Sequence, residues 1–186
     1  MTILSTPIRA HVVAGGFPRG SSAGHDIDYA RLRILEVLQS NPRVVSSVAS
    51  DFADVAGWLD PCDFLVTYVA GPYPDGEQAE VIAKWLESGG RWLALHGTSG
   101  GRAVPIPDGS PGRTMQRLPH HELLGAFFLN HPPIRKFRVD VRDRDHALTR
   151  GLPESFEVMD ELYLIELRAP GESRVLLSTE DLGAQD

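Results

Sequence analysis

Cysteine is almost missing from this chain: Cys62 stands alone among 186 residues. One thiol can neither close an internal disulfide nor anchor a thiolate metal centre by itself. It lies in "WLDPCDFLV", where a helix-to-strand connection enters an apolar strand, and it reads as a small buried filler rather than a nucleophile. Long apolar runs are also lacking; no stretch approaches the roughly 18 residues of a membrane-spanning helix. The opening "MTILSTPIRAHVVAGG" has no basic, apolar and small-residue succession of the secretory type, so the reading is cytoplasmic, with no membrane partner. Basic blocks are absent as well. Lys and Arg number 18 against 25 Asp and Glu, interspersed, for a net charge of −7, which argues against nucleic acid as a partner. Among catalytic motifs, Ser99 stands in "HGTSGG", displaced from the corner a nucleophile would occupy, which disfavours a Ser-His-Asp hydrolase. No Walker A, G-x-G-x-x-G, H-E-x-x-H or H-x-x-x-H spacing occurs.

What is present is an alternation of strand-like and helix-like segments. "RAHVVAGG" (9–16) is a short β run ending in paired glycines, followed by a long turn-rich loop, "FPRGSSAGHDID". In "DYARLRILEVLQSN" the residues Leu32, Ile34, Leu35 and Leu38 recur at helical spacing, and Asn41-Pro42 stops the helix. Strands are expected in "RVVSSVAS" (43–50) and in "DFLVTYVAG" (63–71), the second apolar throughout, as in strands buried on both faces. A short helical piece between them carries Trp58 and Leu59. "PDGEQAEVIAKWLESGG" is the clearest helix, with an acidic first turn, apolar Ala79, Val81, Ile82, Trp85 and Leu86, and Gly89-Gly90 as its end. "RWLALHG" gives a fourth strand. This order implies right-handed crossovers and a flavodoxin-like, doubly wound, mostly parallel sheet with helices on both faces.

Residues 102–118, with three prolines and no periodicity, read as a surface loop or lid. "PHHELLGAFFLNHPPI" reads as a short helix ended by its prolines, with one of His120 and His121 solvated and the other a cap or partial core residue. "RKFRVDVRD" alternates strictly and predicts an antiparallel edge extension with one wet face. "FEVMDELYLIEL" and "RVLLSTE" are two further strand-like runs. Length and composition suit one globular domain over residues 1–186.

In open parallel sheets the ligand meets the carboxyl ends of the strands. Gly15-Gly16, Tyr68 to Gly71 and His96-Gly97 therefore belong on one rim, joined by His25 and Asp26 from the first loop. Asn130-His131 and "MDELY", with Asp160, Glu161 and Tyr163, supply further polar groups. Imidazole beside carboxylate is the pairing of general acid–base catalysis and of borderline metals. Each residue has a plainer reading too. His11 sits within a strand and reads as structural, His25 as a loop residue, His131 as a helix terminator, His146 as a turn residue, and Asp160 or Glu161 as the wet face of a strand. A divalent metal ion held by scattered ligands stays open.

Taken together, "GHDID", "DFLVTYVAG", "AKWLESGGRWLALHG", "HHELLGAFFLNHPP" and "DHALTRGLPESFEVMDELY" resemble the trehalose-utilisation (ThuA-like) family, of the class I glutamine-amidotransferase-like superfamily. The resemblance implies that His96 occupies the corner where glutaminases hold their cysteine. It implies an enzyme of sugar catabolism, a hydrolase or lyase taking a small-molecule carbohydrate: a disaccharide or its 3-keto derivative. His25, His96, His131 and Glu161 would then be catalytic, with Asp26, Tyr68, Asp160 and Tyr163 binding substrate. Where the family's turn carries a proline after the histidine, this chain has Ala147 after His146. The family's C-terminal tryptophan, "G-K-G-R"-like strand and Gly-His pair are not in the sequence, so the expectation is a short homologue or a fragment. The alternative class is a non-catalytic sugar-binding or protein-interaction domain on the same scaffold. Phe127, Phe128 and Leu129 read as buried beneath the sheet, with a homo-oligomer contact as the other reading.

Overall fold

The computed structural model describes residues 6–16 and 25–180. The expected loop after the first strand falls largely outside these, at 17–24. The chain divides into two compact units, Met1–Leu124 and Gly125–Asp186, and each is described by itself.

The first unit is built on a four-stranded parallel sheet: β1 (Ile8–Gly15), β2 (Val44–Ala49), β3 (Phe64–Val69) and β4 (Arg91–Leu95) in the order β2-β1-β3-β4. Three helices connect them: α1 (Ile27–Gln39), α2 (Val55–Leu59) and α3 (Gly76–Glu87). Period-two alternation sends successive side chains to opposite faces, and β1 divides its own accordingly. Val12 and Ala14 join Val66 beneath Ile27, Ile34, Leu35 and Leu38 of α1. Val13 joins Leu65 and Val69 with Val55 and Leu59 of α2 and Ile82 and Trp85 of α3. Leu32, placed on the apolar stripe by spacing, is instead 54% exposed, because Ile34, Leu35 and Leu38 already cover the sheet.

Helix starts follow local chemistry. Asp26 caps α1 by accepting the Tyr29 N–H at 2.8 Å, and Asp75 with Gln78 closes a reciprocal capping box on α3. The end of α3 is a left-handed Gly89, φ +100°, as its glycine pair predicts. Cys62 is half-buried rather than fully packed. Its backbone carbonyl accepts the Trp85 indole N–H at 3.1 Å. Burial and the neighbouring Asp63 carboxylate push its thiol pKa up, which keeps it a thiol and poor nucleophile.

Two segments of this unit differ from their sequence reading. Residues 102–116 form a hairpin, β5 (Arg102–Pro105) paired antiparallel with β6 (Arg113–Gln116), its turn bent through Gly109 and Gly112 at positive φ. Proline density hid a ladder in which prolines occupy only a strand end and the turn. The helix after it, α4 (His120–Leu124), stops at Gly125, φ +66°, before the prolines. Both His120 and His121 are buried, at 0% and 2% exposure; neither is solvated.

In the second unit, "AFFLN" is a strand, β7 (Ala126–Asn130), not the continuation of a helix. Two adjacent phenylalanines favour the pleat over a helical stripe. Phe127 and Phe128 are buried and Leu129 is exposed. The alternation of "RKFRVDV" holds as β8 (Arg135–Val141), burying Phe137 and Val141 and pairing antiparallel with β9 (Ser155–Asp160). The run "FEVMDELYLIEL" is broken: β9 ends at Asp160, and β10 (Leu164–Leu167) pairs with β7 instead. From "RVLLSTE" only β11 (Leu177–Ser178) is strand, against β8.

Candidate active site

Parallel register aligns the carboxyl ends of the first unit's strands: Ala14 pairs with Tyr68, and Tyr68 with Leu95, the residue before His96. Three rings from distant points in the sequence meet there. His25, at the entry to α1, lies with its ring 4.9 Å from that of His96. Tyr68 stacks on His96 at 5.4 Å, planes 15° apart, and its hydroxyl is 3.5 Å from His25 Nδ1. All three are half-buried. The rim expected for His25, Tyr68 and His96 is thus the rim observed for them.

His96 has a backbone φ of +47°, the only non-glycine at positive φ among the described residues. That conformation costs an L-residue roughly 1–2 kcal/mol, and such strain persists where the surroundings hold it in place. The chain turns here from β4 straight into a 3₁₀ turn, His96–Ser99. Gly97 is required because a Cβ at this position would lie 2.6 Å from the Val69 carbonyl oxygen. The corner is tied from several directions. Thr98 Oγ1 accepts the Val69 N–H at 3.2 Å, and Tyr73 donates to the Gly97 carbonyl at 3.3 Å. His120 Nε2 contacts the Thr98 carbonyl at 3.1 Å and His121 Nε2 the Gly100 carbonyl at 2.9 Å.

Asp26, expected to touch substrate, is exposed and its carboxylate caps α1. His11 is wholly buried: its Nδ1 meets Ser47 Oγ at 2.8 Å, its ring stacks on Trp58 at 5.3 Å, and burial lowers its pKa. Its reading as structural holds.

In the second unit the break after β9 sets Glu161, Leu162 and Tyr163 in an irregular link. His131 lies 5.8 Å from Tyr163, rings stacked at 14°, and 3.8 Å from Glu161 Oε1 through Nε2. Its Nδ1 donates to the Pro132 carbonyl at 2.8 Å, leaving Nε2 as the nitrogen that faces the carboxylate. Phe128 packs on Tyr163 at 4.3 Å. Asp160 is exposed and accepts the Glu161 N–H. His131 ends a strand rather than a helix. His146 is a turn residue, as read: its N–H donates to Asp143, and its Nδ1 accepts the Leu148 N–H.

Sequence reasoning missed His120, His121 and Tyr73 as supports of the corner. The adjacent histidines in "PHHELL" were the available signal, since paired imidazoles on a five-residue helix are hard to explain by packing alone. Among the described residues no group of three or more His, Cys, Asp or Glu converges as a metal-binding set, and no helix is long and apolar enough to cross a membrane.

A parallel four-stranded sheet and additional antiparallel sheets, with a histidine of positive backbone φ at a strand-to-helix corner, define a mixed α/β protein with a polar rim site. The chain belongs to the ThuA family, described as trehalose utilisation, whose model matches residues 21–185. A ThuA-like protein from Bacteroides uniformis ATCC 8492 is similar in structure, with a TM-score of 0.70 and 17% identity over 97% of this chain and 71% of that one. A second ThuA-like protein, from Parabacteroides merdae ATCC 43184, gives 0.62 and 17% over 94% and 68%. The mmIFT52 N-terminal domain gives 0.58 and 17% over 95% and 74%. These likenesses concern the fold. No curated protein matches the chain.

Proposed function

We propose that this protein is an enzyme of sugar catabolism, a lyase or hydrolase acting on a disaccharide or 3-keto-glycoside by histidine and carboxylate acid–base chemistry, without glutaminase activity. One observation carries the reading: His96 is held at φ +47° with its ring against His25 and Tyr68. Membership of a trehalose-utilisation family supports the substrate class. We take the sheet to be of the flavodoxin type, doubly wound within one amidotransferase-like domain; the order β2-β1-β3-β4 and helices packing on both sets of β1 side chains support this.

A ketone beside the carbon next to the glycosidic centre acidifies the intervening C–H. His96 acts as the base that removes this proton, with the His25 ring edge-on beside it, and Tyr68 donates a hydrogen bond to the oxygen where the enolate develops. The electron pair then expels the glycosidic oxygen, which leaves with a proton from an acid, and water adds to the resulting enone where the outcome is hydrolysis. Asp26 is an exposed hydroxyl acceptor of the first unit; within the second unit, His131 and Glu161 form an acid–base pair of their own, with Tyr163 as a ring for a sugar and Asp160 as an exposed hydroxyl acceptor.

The test is turnover of trehalose and 3-keto-trehalose by purified protein, followed by release of the free sugar. Turnover of the keto-sugar, lost in a folded His96→Ala variant, supports the proposal. Sugar binding without turnover under all metal supplements transfers the assignment to a binding domain, and turnover unchanged by the substitution removes His96 from the site.

A further inference from the structure

We infer that His120 and His121 are positioning residues that hold the backbone of the His96 corner, with Tyr73 as a third grip. The inference rests on reading His96 as the working residue, but its structural part stands without any substrate.

The two imidazoles are buried completely or nearly so, and their ring centroids are 4.0 Å apart on the five-residue helix α4. Burying two ionisable rings side by side is unfavourable unless both stay neutral and their polar atoms find partners. Both conditions shape the contacts. His121 Nδ1 lies 2.8 Å from the Leu118 nitrogen and 3.1 Å from its carbonyl oxygen; because the Gly100 carbonyl, 2.9 Å from Nε2, can only accept, the proton of the neutral ring is on Nε2 and Nδ1 accepts the Leu118 N–H. His120 Nε2 faces the Thr98 carbonyl at 3.1 Å and must therefore carry the proton. Each ring thus delivers its one N–H to a carbonyl of the segment that follows His96.

The third grip comes from the segment before α3. The Tyr73 ring stacks on His120 at 5.2 Å, planes 9° apart, and its hydroxyl donates to the Gly97 carbonyl. Carbonyls 97, 98 and 100 are in this way each claimed by a different side chain, over the four residues after a backbone in the left-handed region. The packing needs only apolar rings at these places; the donors need imidazoles. His120 Nδ1 is buried without a hydrogen-bond partner, so a phenylalanine here would be cheaper for packing alone. The residue that matches the requirement is one with a single aimed N–H.

His120→Phe keeps the stack on Tyr73 and removes the donor; His120→Gln places an amide N–H near the same carbonyl. The direct readout, on the full chain, is the His96 imidazole by NMR: its ring C–H resonance and its titration midpoint. His120→Phe is expected to move both, and His120→Gln to return them towards the parent values. If a keto-sugar is turned over, kcat falls about tenfold or more in His120→Phe, as displacement of a catalytic group does, with KM within about twofold. Should His120→Phe fail to fold, Tyr73→Phe removes one hydroxyl and is read in the same way. An unmoved His96 resonance and midpoint in a folded variant overturns the inference. Moved signals without turnover on any sugar uphold it while counting against the enzyme proposal.

Discussion

The His96 imidazole lies face to face with the Tyr68 phenol, ring centroids 5.4 Å apart and planes 15° from parallel. Tyr68 lies in β3 and His96 directly follows the adjacent parallel strand β4, and the stack follows from the register that pairs Tyr68 with Leu95. The stack and the hydroxyl can be separated. Tyr68→Phe keeps the ring but loses the group 3.5 Å from His25 Nδ1, whereas Tyr68→Leu loses both. On the proposed mechanism the first lowers kcat by about 100-fold, the usual scale for one oxyanion donor, and the second lowers it at least as far. Steady-state kinetics on a 3-keto-glycoside measure this; equal activity in Tyr68→Phe and the parent would take the hydroxyl out of the chemistry.

The corner itself stores strain, which a pair of substitutions can expose. His96→Ala and His96→Gly lose the same ring contacts but differ in how they bear φ +47°. Alanine keeps the steric penalty and glycine does not, so the glycine variant should be more stable than the alanine variant by about 1 kcal/mol. Urea unfolding of the two variants gives the difference directly. A stability order with alanine ahead would mean that the corner relaxes once the imidazole is gone.

Acid should weaken the fold through the buried histidine on α4. Burial, helped by the neighbouring His121, pushes the His120 pKa down to about 4, against the small opposing effect of its bond to Thr98. In the unfolded chain the same imidazole takes its proton near pH 6.5. Between these values the unfolded state binds more protons than the native state, so stability falls as pH falls from about 6.5 and stops falling, for this group, near 4. The full effect is roughly 3 kcal/mol. His11, whose pKa burial also lowers, acts in the same direction. Unfolding midpoints at pH 7 and pH 4.5 should draw closer together in His120→Gln than in the parent; an unchanged gap would mean that His120 is protonated in the native state.

The parallel sheet was legible in the sequence because short β-type runs, with β3 the most apolar, alternate with helices that carry caps and stripes, as with Asp75, Gln78 and Gly89 around α3. The grouping of His25, Tyr68 and His96 was legible too, since strand ends in a parallel sheet share a rim. The second unit was read less well. A continuous apolar run does not reveal where a chain leaves one partner for another, and the break at Glu161 to Tyr163 separates strands that pair with β8 and with β7. The burial of both His120 and His121 was read only in part, as one partial core residue, because it depends on carbonyls some twenty residues earlier. Local pattern sees a helix face, not the hydrogen-bond acceptors brought to it by the fold.

His131 and Glu161 offer the clearest separation of function from stability. Their contact is 3.8 Å, with the two side chains 36% and 24% exposed, and it is ionic only when the imidazole is protonated. A partly exposed pair of this length contributes no more than about 1 kcal/mol, so Glu161→Gln should barely move the unfolding midpoint. Tyr163 stacking on His131 and the Nδ1 bond to the Pro132 carbonyl remain to hold the ring in place. If the pair works as an acid–base unit, the same substitution lowers kcat by about 100-fold or more and removes one limb of the pH–rate profile. Loss of stability without loss of rate would identify the pair as a surface tie. Loss of rate at constant stability is the expected result, since neither group is placed where folding alone requires a charge.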